Sequence, residues 1–238
     1  MALPKLKSPT FTFTVPSTKQ EIVYRPFTVQ EEKVLLIAQE SKDQKAIIRS
    51  VQQIINNCIV EGEIDVDDFA PFDIEFFFLQ LRARSVNNVL RLKITDPDDV
   101  KVTHNYEVDL DDVHLTFPEG HERKIQLTDE LGVTMRYPSL TALSKFDFDE
   151  SNMTEDIFGV IKETIESVYD SENVYPFHDE TPEEQDAFLD SLSSEAFQKL
   201  RTFYDTMPKL EHDVTITRPD KTTFTIPLRG LSDFFSYA

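Results

Sequence analysis

Tryptophan is absent from the 238 residues, cysteine occurs once, glycine five times, and basic side chains number 24 against 44 acidic ones. Each shortage removes a class of protein. The single cysteine, Cys58, can form neither an internal disulfide nor a thiolate metal cluster, so the framework of an oxidising compartment is missing. Its neighbours Ile54, Ile55 and Ile59 suit a small buried hydrophobe, whereas a reactive thiol needs positive charge nearby. Five glycines leave little material for a phosphate cradle, and no Gly-x-Gly-x-x-Gly, P-loop or Gly-x-Ser-x-Gly occurs. The net charge of -20 opposes binding to nucleic acid or to an anionic membrane, since both require clustered Lys and Arg. No window approaches 18 apolar residues and residues 1–7 hold no long apolar run, so neither a membrane span nor a standard secretory signal is expected.

What is present is core-forming. The chain is long enough to bury roughly 70 to 75% of its unfolded surface, and 19 Phe supply rings with no polar atom to satisfy. The abundant carboxylates do not assemble into known catalytic or metal-binding patterns. Asp147, Asp149 and Ser151 have calcium-loop spacing, but Asn152 replaces the turn glycine and Phe158 stands where the bidentate Glu belongs. The runs at 65–68 and 96–99 fail the same test. Histidines 104, 114, 121, 178 and 212 include no pair at helical spacing and no His-Glu-x-x-His, so a zinc hydrolase is unsupported. Neither catalytic residues, nor a metal, nor a cofactor is expected.

The pattern of periodicities predicts an α+β protein. Alternating β-formers at 11–15 and 21–25 read as an N-terminal hairpin. A helix pair follows: Thr28 with Glu31, and Ser41 with Gln44, have capping-box spacing, and Ile47, Val51, Ile54, Ile55 and Cys58 form one apolar stripe. Residues 72–84 read as a helix too apolar for the surface. A β-rich middle region covers 88–138, with Gly132 in a turn between two of its strands. Residues 154–169 read as a helix on the spacing of Ile157, Ile161, Ile165 and Val168. Thr181-Pro182-Glu183-Glu184 is the clearest helix start, and Ser193 or Ser194 caps the next helix, which Pro208 ends. A second hairpin at 214–226 and a short terminal helix after Gly230 close the chain. The expected divisions are 1–87, 88–138 and 139–238, the last either separate or one body with the first.

Several of these segments resemble the baseplate hub and hub-assembly family of T4-like contractile-tailed bacteriophages. The opening Met1-Ala2-Leu3-Pro4-Lys5-Leu6, the hairpin at 11–27 and Thr28-Val29-Gln30-Glu31-Glu32-Lys33 are similar to the family's start. Phe72-Asp73-Ile74-Glu75-Phe76-Phe77-Phe78-Leu79-Gln80-Leu81 is similar to its middle. Thr206-Met207-Pro208-Lys209-Leu210 and Gly230-Leu231-Ser232-Asp233-Phe234-Phe235 are similar to its end. Relatives often carry a Cys-Pro-Asp-Asp turn where this chain has Asp96-Pro97-Asp98-Asp99. The resemblance implies a myovirus protein without catalytic residues, either a virion baseplate component or a chaperone acting in the infected bacterial cytoplasm while the hub assembles. Its partners would be other baseplate and hub proteins.

Interfaces favour aromatic and large apolar side chains, and chain ends must be tied down by something. Leu231, Phe234, Phe235 and Tyr237, with Lys209 and Leu210, are therefore the candidate partner-binding residues. Removing 231–238 is expected to impair assembly and to leave a folded monomer. A third reading, an acidic inhibitor mimicking DNA, would need carboxylates spaced along one elongated face.

Overall fold

The computed structural model describes residues 7–41, 44–146 and 152–236. The first six residues, the 147–151 run and Tyr237 lie outside them. The chain opens with strands β1 (Phe11–Thr14) and β2 (Glu21–Tyr24), then helices α1 (Val29–Ser41) and α2 (Gln44–Cys58), strand β3 (Ile59–Glu61) and helix α3 (Pro71–Ser85). Next come β4 (Val89–Thr95), β5 (Thr103–Asp109), β6 (Leu115–Thr116), β7 (Lys124–Gln126) and β8 (Gly132–Met135). Helices α4 (Leu140–Leu143) and α5 (Met153–Thr164) lead to β9 (Ile165–Tyr169) and β10 (Val174–Pro176). Helices α6 (Pro182–Asp190) and α7 (Ser194–Asp205), strands β11 (Lys209–Thr217) and β12 (Thr223–Arg229) and helix α8 (Gly230–Ser236) complete the mixed α+β fold.

Local chemistry accounts for several boundaries. At the start of α1 the Thr28 N–H donates to Glu31 Oε2 over 2.7 Å, the reach-back half of a capping box. Glu31 also accepts from Arg25 at 2.9 Å. Burial opposes ionisation here, yet hydrogen bonds from Arg25 and Thr28 draw the Glu31 carboxyl down to about 2. At α6 both halves of the box form between Thr181 and Glu184, with Pro182 at the first helical position. The Ser193 hydroxyl accepts the Ala196 N–H over 3.2 Å and starts α7. In β4 the alternation is complete: Leu90, Leu92 and Ile94 are buried while Arg91, Lys93 and Thr95 are exposed.

The helix expected over 154–169 ends at Thr164. Ile165 to Tyr169 instead form β9, paired antiparallel with β8 on one side and β10 on the other. Ile165 and Val168 are β-branched and stiff at χ1, and both are buried. Their spacing satisfies a helical stripe, but two neighbouring strands offer the backbone a ladder and override it.

The chain divides into two compact units, Met1–Val66 with Phe72–Thr116 and Lys209–Ala238, and Asp67–Pro71 with Phe117–Pro208. The β-rich stretch 88–138 is thus shared, β4 to β6 belonging to the first unit and β7 and β8 to the second. In the first unit, β1-β2-β3 form one sheet, β4-β5 another, and β12-β11-β6 a third. Helix α3 runs through its core with Phe77, Phe78, Leu79 and Leu81 almost fully enclosed. The Phe77 ring stacks on Phe13 at 4.4 Å and meets Tyr24 edge-on at 5.0 Å. In the second unit the sheet β10-β9-β8-β7 supplies Val133, Met135 and Ile165 to a core shared with Ile161, Leu200 and Phe203.

Candidate functional site

The candidate partner-binding residues do not form one surface. Phe234 is 0% exposed and Leu210 1%; both are packed with Leu79, Leu90, Val214 and Leu228 in the core of the first unit. Leu231 is half-buried against that same core. Lys209 is exposed at the start of β11, opposite Thr116 of β6. The Phe235 backbone belongs to α8, its side chain lies outside the described residues, and so does Tyr237. The tail is fastened into its own fold through Phe234, which reverses the expectation that 231–238 could be removed without cost to folding.

The fastening has a charged component that periodicity alone could not reveal. Gly230 turns the chain into α8 at φ +62°, a left-handed conformation, and a Cβ there would lie 2.8 Å from Glu75 Oε1. The Leu231 N–H donates to the Glu75 carboxylate of α3. Burial nevertheless pushes the Glu75 carboxyl up to about 7, the hydrogen bond offsetting only part of the desolvation. Arg229 N–H adds a bond of 2.8 Å to Asp233 Oδ2 across the same turn.

A second polar cluster joins the ends of β4, β5 and β11. Asp96, 4% exposed, accepts from Arg218 Nε at 2.7 Å and Nη2 at 2.8 Å, a bidentate pair. Arg218 Nη2 also reaches Asp98 Oδ2 at 2.6 Å, and its guanidinium lies 4.7 Å from the centre of the Phe224 ring. His104 Nε2 stands 3.1 Å from Asp96 Oδ2. The Arg218 hydrogen bonds, with those from Asp98 N–H and His104, hold the Asp96 carboxyl well below the ordinary range. Both Asp96 carboxylate oxygens are engaged by the fold, and the cluster acts as a clasp between the β4–β5 and β11–β12 hairpins.

A groove of about 500 Å³ runs beside β1, walled by Phe11, Phe13, Phe76, Gln80 and Arg84. Its walls are β1 itself and one face of α3, since Phe76, Gln80 and Arg84 recur at four-residue spacing. Asp111 and His114 also line it. Arg84 is bound to Asp111 at 3.2 Å and stands 5.8 Å from the centre of the Phe11 ring. Strand β1 is an edge strand. In the second unit a cavity of about 300 Å³ is lined by Leu131, Val168, Phe177 and Phe188 together with Glu180 and Glu184; Glu184 is committed to the α6 cap.

Large apolar side chains are also exposed on the first helix pair: Val29 (64%), Leu36 (52%) and Ile37 (68%) of α1, with Ile48 (43%) of α2. Val29, Leu36 and Ile37 fall at i, i+7 and i+8, one helical face. In sequence they are indistinguishable from core, because an apolar residue in a helix is read as buried by default. Among the described residues no group of three or more His, Cys, Asp or Glu is arranged to hold a metal ion, and no helix is long and apolar enough to cross a membrane. Both ring nitrogens of His121 are engaged, Nδ1 with Thr206 Oγ1 at 2.9 Å and Nε2 with Tyr137 OH at 3.0 Å. Burial pushes the Cys58 thiol up to about 11, leaving it a protonated core residue.

Polar groups among the described residues are tied into caps and clasps, while apolar side chains stand exposed on the α1–α2 pair and a groove runs beside the edge strand β1. Residues 8–236 match the T4 bacteriophage base plate protein family, and the chain belongs to that family. No curated protein and no solved structure matches it.

Proposed function

We propose that this baseplate protein is a hub component that works by binding other baseplate and hub proteins while the baseplate is built. The observation that carries the reading is the exposed apolar face of α1, where Leu36 and Ile37 are more than half exposed. Two adjacent large aliphatic side chains that stand half or more in water forgo roughly 1 to 2 kcal/mol each relative to full burial, and burial against a partner recovers it. The charge of -20 supports protein partners over nucleic acid or an anionic membrane. Some carboxylates are also spent inside the fold, Glu31 and Glu184 in caps and Asp96 in the clasp, and these are lost to any acidic face a DNA mimic would present. The same binding activity would serve a virion subunit in the tail baseplate or a chaperone confined to the host cytoplasm.

The test is co-purification from infected cells of the tagged full-length chain, wild type beside Leu36→Lys/Ile37→Lys. The wild type is expected to bring down baseplate proteins, and the double variant to lose most of that yield while keeping its helical circular dichroism. Equal recovery by both would remove the α1 face from the account, and recovery of no baseplate protein by either would end the binding reading.

A further inference from the structure

We propose that the open edge of β1 is a docking site for an extended segment of another baseplate chain, which adds as a fourth strand to the β1-β2-β3 sheet. The inference rests on the binding reading above and gives it a location and a recognition chemistry. In an antiparallel ladder, residues alternate between bonding inward to the partner strand and pointing outward. Val15 N–H donates to Gln20 O over 2.8 Å, and Phe13 stands opposite Ile22 and Phe11 opposite Tyr24. The intervening Thr12 and Thr14 therefore aim their N–H and C=O groups away from β2. Arg25 obeys the same parity on the other side of the sheet, its N–H reaching Cys58 O at 2.9 Å.

An open edge is commonly blunted by charge or by proline, and other edges here are. Strand β4 carries Arg91 and Lys93 on its exposed face, β10 ends in Pro176, and β12 contains Pro227. The sequence of β1 is Phe-Thr-Phe-Thr, all β-formers without a charge. Beside it lies the 500 Å³ groove, with Phe13 and Phe76 rings 5.8 Å apart. A strand laid along β1 would make its backbone bonds with Thr12 and Thr14 and send every second side chain into that groove, the geometry of strand addition between a sheet edge and a helix.

The chemistry of the occupant follows. About four residues match the length of β1 at roughly 3.3 Å per residue. Alternate positions facing Phe11, Phe13 and Phe76 are apolar. One end carries a Lys or Arg, because the Asp111 carboxylate lines the Arg84 end of the groove with its side chain 41% exposed, in a chain of net charge -20.

The experiment compares amide hydrogen exchange in the free full-length chain and in its complex with baseplate proteins from infected cells, with Thr12→Pro and Thr12→Val as variants. Because the Thr12 N–H points outward, proline there removes a docking donor and keeps the β1–β2 bonds. The proposal predicts exchange at Thr12 and Thr14 slowed at least about 10-fold in the complex, partner recovery cut about 10-fold by Thr12→Pro, and no change with Thr12→Val. Unchanged exchange at both amides within an intact complex overturns the strand site and leaves the binding reading standing. Protection that grows with the concentration of the free chain alone overturns it in favour of a second copy of this chain. Failure to recover any baseplate protein overturns both.

Discussion

Glu75 should make stability fall as the pH rises from acid to neutral, opposite to the usual behaviour of a carboxylate held in an ion pair. Its carboxyl is pushed up to about 7 by burial, with the Leu231 N–H as its hydrogen-bond donor. In the unfolded chain it titrates near the ordinary glutamate value of about 4.3. Between those values the folded protein holds the proton more tightly, so stability is greatest below the unfolded value and is lost progressively until about 7. A gap of roughly 2.7 pH units, at about 1.4 kcal/mol each, caps the loss at about 4 kcal/mol. Glu75→Gln removes the charge and retains an oxygen for the Leu231 N–H. Urea unfolding, followed by far-UV circular dichroism because the chain has no Trp, should then show the variant more stable by up to about 4 kcal/mol at pH 8. The advantage should shrink below about 0.5 kcal/mol near pH 4.5. An advantage independent of pH, or a Glu75 titration midpoint at the ordinary glutamate value, would refute the argument.

Phe234→Ala should destabilise the first unit by about 3 to 5 kcal/mol, and deletion of 231–238 should lower the unfolding midpoint at least as much; a deletion that melts like the full chain would return Phe234 to the surface. Asp96→Ala, which removes the buried bidentate partner of Arg218 and leaves it only the exposed Asp98 as an ion-pair partner, should lower the melting temperature even in 1 M salt, whereas Arg91→Ala breaks a pair with Glu107 that is 84% and 61% exposed and should change stability by less than about 0.5 kcal/mol; calorimetry of both decides. Thr181→Ala should cost about 1 kcal/mol through the lost α6 cap, measurable by urea unfolding, and Thr181→Ser should restore most of it.

What the sequence made legible was local. The Thr181–Glu184 cap, the α2 stripe and the apolar burden of α3 are each written within a dozen residues, and each corresponds to an element or a buried face. The misreading of Ile165 to Tyr169 has the same origin, because helical spacing and a β-branched strand coincide there and only pairing with β8 and β10 decides. The clasp joins Asp96 to Arg218 across 122 positions, and β6 meets β11 across a similar gap; no local pattern announces either. By residue type the tail reads as an aromatic interface former, but Phe234 meets Leu79 and Leu90 from distant parts of the chain and is core. Conversely, Leu36 and Ile37 look like core in sequence and stand exposed, since the α1 face that packs inward carries Leu35 and Ala38.

Quantitative mass spectrometry of gradient-purified baseplates, alongside lysates of the same infected cells, tests the hub role most directly. A hub component should appear in the baseplates at a fixed ratio to the other subunits; its presence in the lysate and absence from every baseplate preparation would contradict a structural role and leave only a chaperone.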